Sequence, residues 1–314
     1  MNAPGGLRGV LEAAIALRAA GRRFALALVT DTEGSTYRKA GALAVVAEDG
    51  GRTGTISGGC LEPALVLLGQ QVIREQRAGT AQFDTRDDDD LLFGSGSGCR
   101  GRMRVLAWPL PGSGDALLDA LLAADAAGDA VSLAVTLAGD GLGAWRRSDQ
   151  AAPGEACVRI SPVPRLLLLG AGPEAAPLLE LALTLGWQAR IADHREGLLA
   201  DARLPATVPR LALHPAAALA AQSRPANAVL VMTHLASADL EALRALAHAD
   251  VPYVGLLGPP ARRDELLAAL SPPERDALQP RLRAPVGLFL GGEGPEAIAL
   301  AIAADLQRHF HAPR

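Results

Sequence analysis

Aromatic residues make up only 3% of the 314-residue chain, and Lys39 is its single lysine. The core must therefore be built from Ala, Leu and Val, and positive charge rests on arginine. The arginines are dispersed, the formal net charge is -4 and the sequence pI is about 5.9. No basic stripe exists for nucleic acid to bind. Cysteine is also sparse. Cys60, Cys99 and Cys157 cannot all pair with one another, and none falls in a CxxC zinc spacing, which points to a reducing compartment. Long uninterrupted apolar runs are missing too. The most apolar stretch, Leu166–Trp187, is broken by Gly170, Gly172, two prolines and two glutamates, so it does not read as a membrane span. The N-terminus reads as an amphipathic helix rather than a signal peptide. A cytoplasmic, soluble protein is expected.

What is present is a core. Hydrophobic residues make up 49% of the chain and mean hydropathy is +0.19, and the length suits two domains. The proline-bearing segment Ala151–Pro164 divides two textures, which sets the domains at 1–155 and 156–314. Before it, Phe24–Thr30, Ala42–Ala47, Arg102–Trp108 and Val131–Leu137 read as strands, and Glu62–Gln76 and Gly114–Ala127 as helices. This half is a mixed α+β domain. After it, strands Arg165–Leu169, Gln188–Ala192, Ala228–Met232 and Tyr253–Leu257 alternate with helices Glu174–Leu185, Ser237–His248 and Pro295–Arg308. That alternation predicts an α/β, Rossmann-like domain with a doubly wound parallel sheet.

Several stretches carry chemistry. Thr53–Glu62, TGTISGGCLE, places Cys60 after Gly58 and Gly59 and directly before a helix start, where backbone N–H groups and the helix dipole favour an anion or a thiolate. The plainer alternative is a small buried hydrophobe. Thr32–Lys39 is rich in hydroxyls and positive charge, which suits an anion or a solvated loop. Gly94–Gly101, with Cys99, reads as an anion-binding nest or a hairpin. Asp84 and Asp87–Asp90 suit Mg²⁺, although solvated loop is the preferred reading. Gly170, Gly172 and Ala175 form a dinucleotide fingerprint, with Asp193 placed 21 residues after Gly172 to meet a ribose hydroxyl; the alternative is a Rossmann-type turn used for packing, with nothing bound there. Arg195 would suit a 2′-phosphate or be a solvated side chain, and His234 falls at the carboxyl edge of the sheet, as a ligand contact or as a helix-capping or packing residue.

Taken together, GSTYRKAGA (Gly34–Ala42), ISGGCLE (Ile56–Glu62), FGSGSGCRG (Phe93–Gly101), LLLLGAGPEA (Leu166–Ala175), ADHRE, VMTH, YVGLLG (Tyr253–Gly258) and the closing GPEAIALAI resemble the XdhC/CoxI family, over nearly the whole chain and in the family's order. The chain departs from the usual family pattern at Ser95, Ser97, Arg100, Pro259 and Pro260. The resemblance implies an accessory chaperone without turnover of its own. It would bind the molybdenum cofactor, protect it during sulfuration with a cysteine desulfurase, and insert it into a xanthine dehydrogenase-like molybdenum hydroxylase. A homodimer would accord with it. It also implies Cys60 as the contact to molybdenum or its sulfur, which suits a soft thiolate. Ser57, Gly58, Gly59 and Glu62 would stand beside it, with Ser35 and Arg38 of the first loop and Cys99 of the second lining the same cavity. Whether Gly170, Gly172 and Asp193 hold a nucleotide, the cofactor or a partner stays open. Two rivals remain: an NAD(P)-dependent oxidoreductase using the fingerprint, and a thiol redox protein using Cys60 with Cys99.

Overall fold

The computed structural model describes residues 6–84 and 101–311; Cys99, Asp87–Asp90 and most of the Gly94–Gly101 loop lie outside them. The chain forms two compact units, 1–163 and 164–314. The first ends eight residues beyond the junction expected at 155, because β8 (Glu155–Ile160) pairs with β6 (Val131–Thr136). The proline-bearing divider thus carries a strand of the first unit. Its alternating exposure and lack of an apolar run hid it.

In the first unit a five-stranded antiparallel sheet runs β3 (Arg52–Thr53), β2 (Leu43–Ala47), β1 (Phe24–Gly34), β5 (Gly101–Leu110), β4 (Gly79–Asp84). A second, three-stranded sheet places β6 between β7 (Trp145–Arg147) and β8. Side chains alternate across the large sheet. Phe24, Leu26, Leu28, Leu106 and Trp108 face α1 (Gly6–Ala19), α3 (Asp115–Ala127) and the small sheet. Ala25, Ala27, Ala44, Val105 and Ala107 face α2 (Glu62–Glu75). The alanines on that side let α2 sit close. A Cβ on Gly69 would lie 2.6 Å from the Val46 Cβ. β1 outruns its expected end at Thr30, since Thr32, Glu33 and Gly34 pair with Met103, Arg102 and Gly101. On the β1 side these are Thr, Glu and Gly, with a Glu33–Arg102 ion pair at 3.1 Å, so no apolar run marks them.

The second unit is an all-parallel six-stranded sheet ordered β11 (Arg210–Leu211), β10 (Gln188–Ala192), β9 (Arg165–Leu169), β12 (Ala228–Val231), β13 (Tyr253–Leu256), β14 (Leu282–Arg283). Numbered within the unit this is 3-2-1-4-5-6, the Rossmann order. Leu166, Leu168, Ile191 and Leu230 pack on α4 (Ala175–Thr184) and α10 (Pro295–Phe310). Leu167, Leu169, Val229 and Val254 pack on the opposite face, against α7 (Ala236–Ala247), α8 (Pro260–Ala268) and α9 (Pro272–Leu278). Burial on both faces explains the unbroken aliphatic runs. Among the described residues no helix is long and apolar enough to cross a membrane.

The α2 approach yields a stability prediction. Alanine for glycine inside a helix normally gains about 0.5–1 kcal/mol, but overpacking costs about 1–3 kcal/mol. Gly69→Ala should therefore lower the urea unfolding midpoint, and Gly69→Ala with Val46→Ala should recover it.

Candidate functional site

Near the site, backbone approaches backbone very closely. A Cβ on Gly101 would lie 2.5 Å from the Ser35 carbonyl and 2.7 Å from Thr36 Cγ2, so only glycine lets β5 begin under the loop that leaves β1. Beside this crossing lies a small pocket, partly open to solvent, with a cavity volume of about 30 Å³. One wall is Ser35, Thr36 and Tyr37, another is Ile56, Ser57, Gly58, Cys60 and Leu61, and Phe83, Gly101 and Met103 complete it.

The Cys60 loop is folded around a carboxylate. Glu62, in the first turn of α2, is buried. Its Oε1 accepts from the N–H groups of Ser57 (3.0 Å) and Ile56 (3.3 Å), and its other oxygen accepts from the Ser57 hydroxyl. Ser57 Oγ in turn accepts from the N–H groups of Gly59 (3.1 Å) and Leu61 (3.0 Å). Four loop N–H groups are thereby turned inward. Gly59 makes the reversal at φ +121°, a conformation glycine tolerates without strain. The outward side carries Gly58 and Cys60, both exposed. The buried-hydrophobe reading of Cys60 is therefore wrong, because the loop that Glu62 closes points the thiol away from the core. Burial opposes ionisation of Glu62, but the Ser57 hydroxyl and N–H outweigh it and hold the carboxyl below its ordinary value.

The predicted site residues separate into distinct settings. Ser35, Ser57, Gly58 and Cys60 line the pocket. Gly59 and Glu62 shape it from behind. Arg38 is not among the lining residues, and its carbonyl accepts from Thr36 Oγ1 at 2.8 Å. Lys39 folds back onto Gly34 O (3.4 Å) and Thr36 Oγ1 (3.3 Å). Tyr37, Phe83 and Met103 were not assigned from the sequence. Phe83 is the one aromatic in the alternating strand β4, and Tyr37 stands within a loop already marked by its hydroxyls.

Gly170, Gly172 and Asp193 lie in the second unit, at the carboxyl ends of β9 and β10. Gly170 adopts φ +123°, and a side chain there would run into the Met232 carbonyl. Asp193 reaches its expected place but faces inward. Its oxygens accept from Ala171 N–H (2.9 Å), Arg195 N–H (2.9 Å) and the Arg195 guanidinium (2.9 and 2.7 Å). Burial works against its charge, yet these donors keep the carboxyl below its usual value. Arg195 also donates to Thr233 O (2.9 Å), and Thr233 Oγ1 donates to the buried Asp239 (2.6 Å), which pairs with Arg262 (2.6 Å). His234 closes the fingerprint. Its ring lies 2.8 Å from where a Gly172 Cβ would be, 3.2 Å from Glu174 Oε2, on backbone at φ +61°. A left-handed histidine costs about 1 kcal/mol or more. A dinucleotide does not fit this arrangement: the ribose acceptor is already filled, and a side chain covers the glycine a pyrophosphate must approach. Among the described residues no cluster of His, Cys, Asp and Glu is arranged to hold a metal.

Residues 17–84 match the XdhC and CoxI family, and residues 166–306 match the XdhC Rossmann domain. A Bacillus subtilis (strain 168) protein, named for a probable role within xanthine dehydrogenase, is 30% identical over 309 aligned residues, covering 90% of this chain and 91% of its own. The chain belongs to the XdhC and CoxI family. Another relative, the molybdenum cofactor insertion chaperone PaoD of Escherichia coli K12, is 27% identical over 311 aligned residues, covering 95% of this chain and 87% of its own. A Bacillus halodurans crystal structure described as a xanthine dehydrogenase superposes with a TM-score of 0.81 at 30% identity, over 97% of this chain and 96% of that one. In this XdhC-family chain the first match runs through β4 and takes in the whole Cys60 loop, while the second begins within β9.

The Glu62 geometry sets a pH dependence. A carboxyl held low in the folded state adds stability above its unfolded value, near 4.5, and that stability is lost as pH falls through the folded value. The stability gap between wild type and Glu62→Gln, followed by denaturant unfolding, should be full near neutrality and shrink below about pH 4.5.

Proposed function

We propose that this chain is an accessory chaperone of molybdenum hydroxylases. It binds the molybdenum cofactor in the pocket beside Cys60, shields it during sulfuration with a cysteine desulfurase in the cytoplasm, and passes it to a xanthine dehydrogenase-like enzyme. The observation that carries this reading is an exposed thiol at a pocket wall, fixed by a buried carboxylate rather than by a catalytic base. Thiolate is a soft ligand suited to molybdenum or its terminal sulfur. The names of the B. subtilis relative and of PaoD support the same class of client and cargo. The cargo arrives and leaves with the site intact, so Cys60 holds it and is not consumed.

Incubation with cofactor released from a molybdenum enzyme, followed by gel filtration and metal analysis, tests this. Wild type should co-elute with molybdenum, and Cys60→Ala should lose most of it. Equal retention by both removes Cys60 from the role, and retention by neither removes the function.

The oxidoreductase reading is disfavoured by the filled Asp193 and the His234 cover over Gly172. Calorimetric titration with NAD⁺, NADH, NADP⁺ and NADPH should give no saturable heat. Tight binding of any of them would reinstate it.

A further inference from the structure

Among the described residues Tyr37 and Phe289 are the aromatics that stand largely in solvent, and Tyr37 is the one at the pocket beside Cys60. The sequence holds three tryptophans, two tyrosines and five phenylalanines, and Trp108, Trp187, Tyr253 and Phe24 are fully buried. Tyr37 is 61% exposed. Its ring stands at the pocket wall, with Cδ2 at 3.8 Å and Cε2 at 4.0 Å from where a Gly58 Cβ would be. A second aromatic, Phe83, lines the same pocket with Met103 and Ile56. The chemistry of the walls is equally selective. Ser35 contributes a hydroxyl and Cys60 a thiol, whereas the Thr36 and Ser57 hydroxyls donate to Arg38 O and Glu62, and no charged side chain lines the pocket among the described residues. Lys39, a cation of the same loop, is turned onto Gly34 and Thr36. A phosphate would meet no counter-charge on these walls. A flat, uncharged heterocycle would meet an aromatic face, apolar edges and the Ser35 hydroxyl.

We propose that Tyr37 is the stacking face for the pterin ring of the cargo. The neutral heterocycle lies against Tyr37 across the mouth of the pocket, the sulfur and metal end lies toward Cys60, and the phosphate lies beyond it. This rests on the reading of the chain as a molybdenum-cofactor chaperone and specifies which part of the cargo its pocket selects. Leaving a tyrosine in solvent forfeits the burial of a large ring, so the exposed ring fits a surface that a ligand covers. Stacking of a heterocycle on an aromatic side chain is sensitive to alanine and tolerant of phenylalanine.

The test uses unsubstituted pterin, which is neutral near pH 7 and lacks metal, dithiolene and phosphate, and follows quenching of its own fluorescence on binding to the full chain. Saturable quenching is expected for wild type, Tyr37→Phe and Cys157→Ala, whose cysteine lies outside the pocket lining, with roughly tenfold weaker binding for Tyr37→Ala. Inorganic phosphate should not displace the pterin. Wild-type affinity in Tyr37→Ala, an absence of binding to wild type, or displacement by phosphate would each overturn the proposal. The same variants challenged with released cofactor separate this claim from its parent. Molybdenum retention undiminished in Tyr37→Ala removes the stacking role and leaves the chaperone standing. Pterin binding without molybdenum retention by wild type removes the chaperone and leaves a heterocycle site.

Discussion

A carboxylate buried at the first turn of a helix must find donors, because an ionised group taken out of water without partners is strongly unfavourable. Glu62 finds them in the loop just before its own helix. The consequence is directional. Once the N–H groups of Ile56 and Ser57 point to Glu62, and those of Gly59 and Leu61 point to Ser57 Oγ, the run left exposed is Gly58, Gly59 and Cys60. A helix start that would otherwise present bare N–H groups to an anion has instead used several of them internally. What it offers a ligand is a thiol and a bare glycine under an aromatic ring. The packing of α2 on an alanine-lined sheet, down to the contact at Gly69, holds that presentation against a rigid support.

The second unit solves a similar problem differently. Its 3-2-1-4-5-6 strand order brings the ends of β9, β10 and β12 together, where the architecture commonly opens a ligand crevice. Here two buried aspartates, Asp193 and Asp239, are each neutralised by an arginine and joined through Thr233. Breaking one side of such a pair generally costs about 3–5 kcal/mol, so the edge is built to stay closed. His234 over Gly172, held against Glu174, completes the closure. The fingerprint therefore serves the passage of Gly170 beneath Met232 and the seating of α4.

The fold was largely legible because its strongest signals are physical necessities. Leu166–Leu169 is aliphatic throughout since both faces of β9 are covered, and Pro295 opens α10 where a missing N–H does no harm. The ends of β1 and all of β8 were not legible, since their pairing is polar or solvent-facing. At the site, Cys60 and the glycines beside it could be named from sequence, and so could the position of Asp193. Orientation could not. Whether a carboxylate faces a ligand or its own backbone depends on donors many residues away, as Asp193 with Ala171 shows. Tyr37 was hidden for a related reason: exposure of a single aromatic is a property of the folded loop.

If Cys60 holds cargo at this pocket, its thiol must be covered when cargo is present. Iodoacetamide labelling of Cys60 and Cys157, both exposed, read by peptide mass spectrometry with and without released molybdenum cofactor, tests this with an internal control. The account predicts strong protection of Cys60 and unchanged labelling of Cys157. Equal labelling of Cys60 in both conditions, with cofactor retained on the protein, would contradict it.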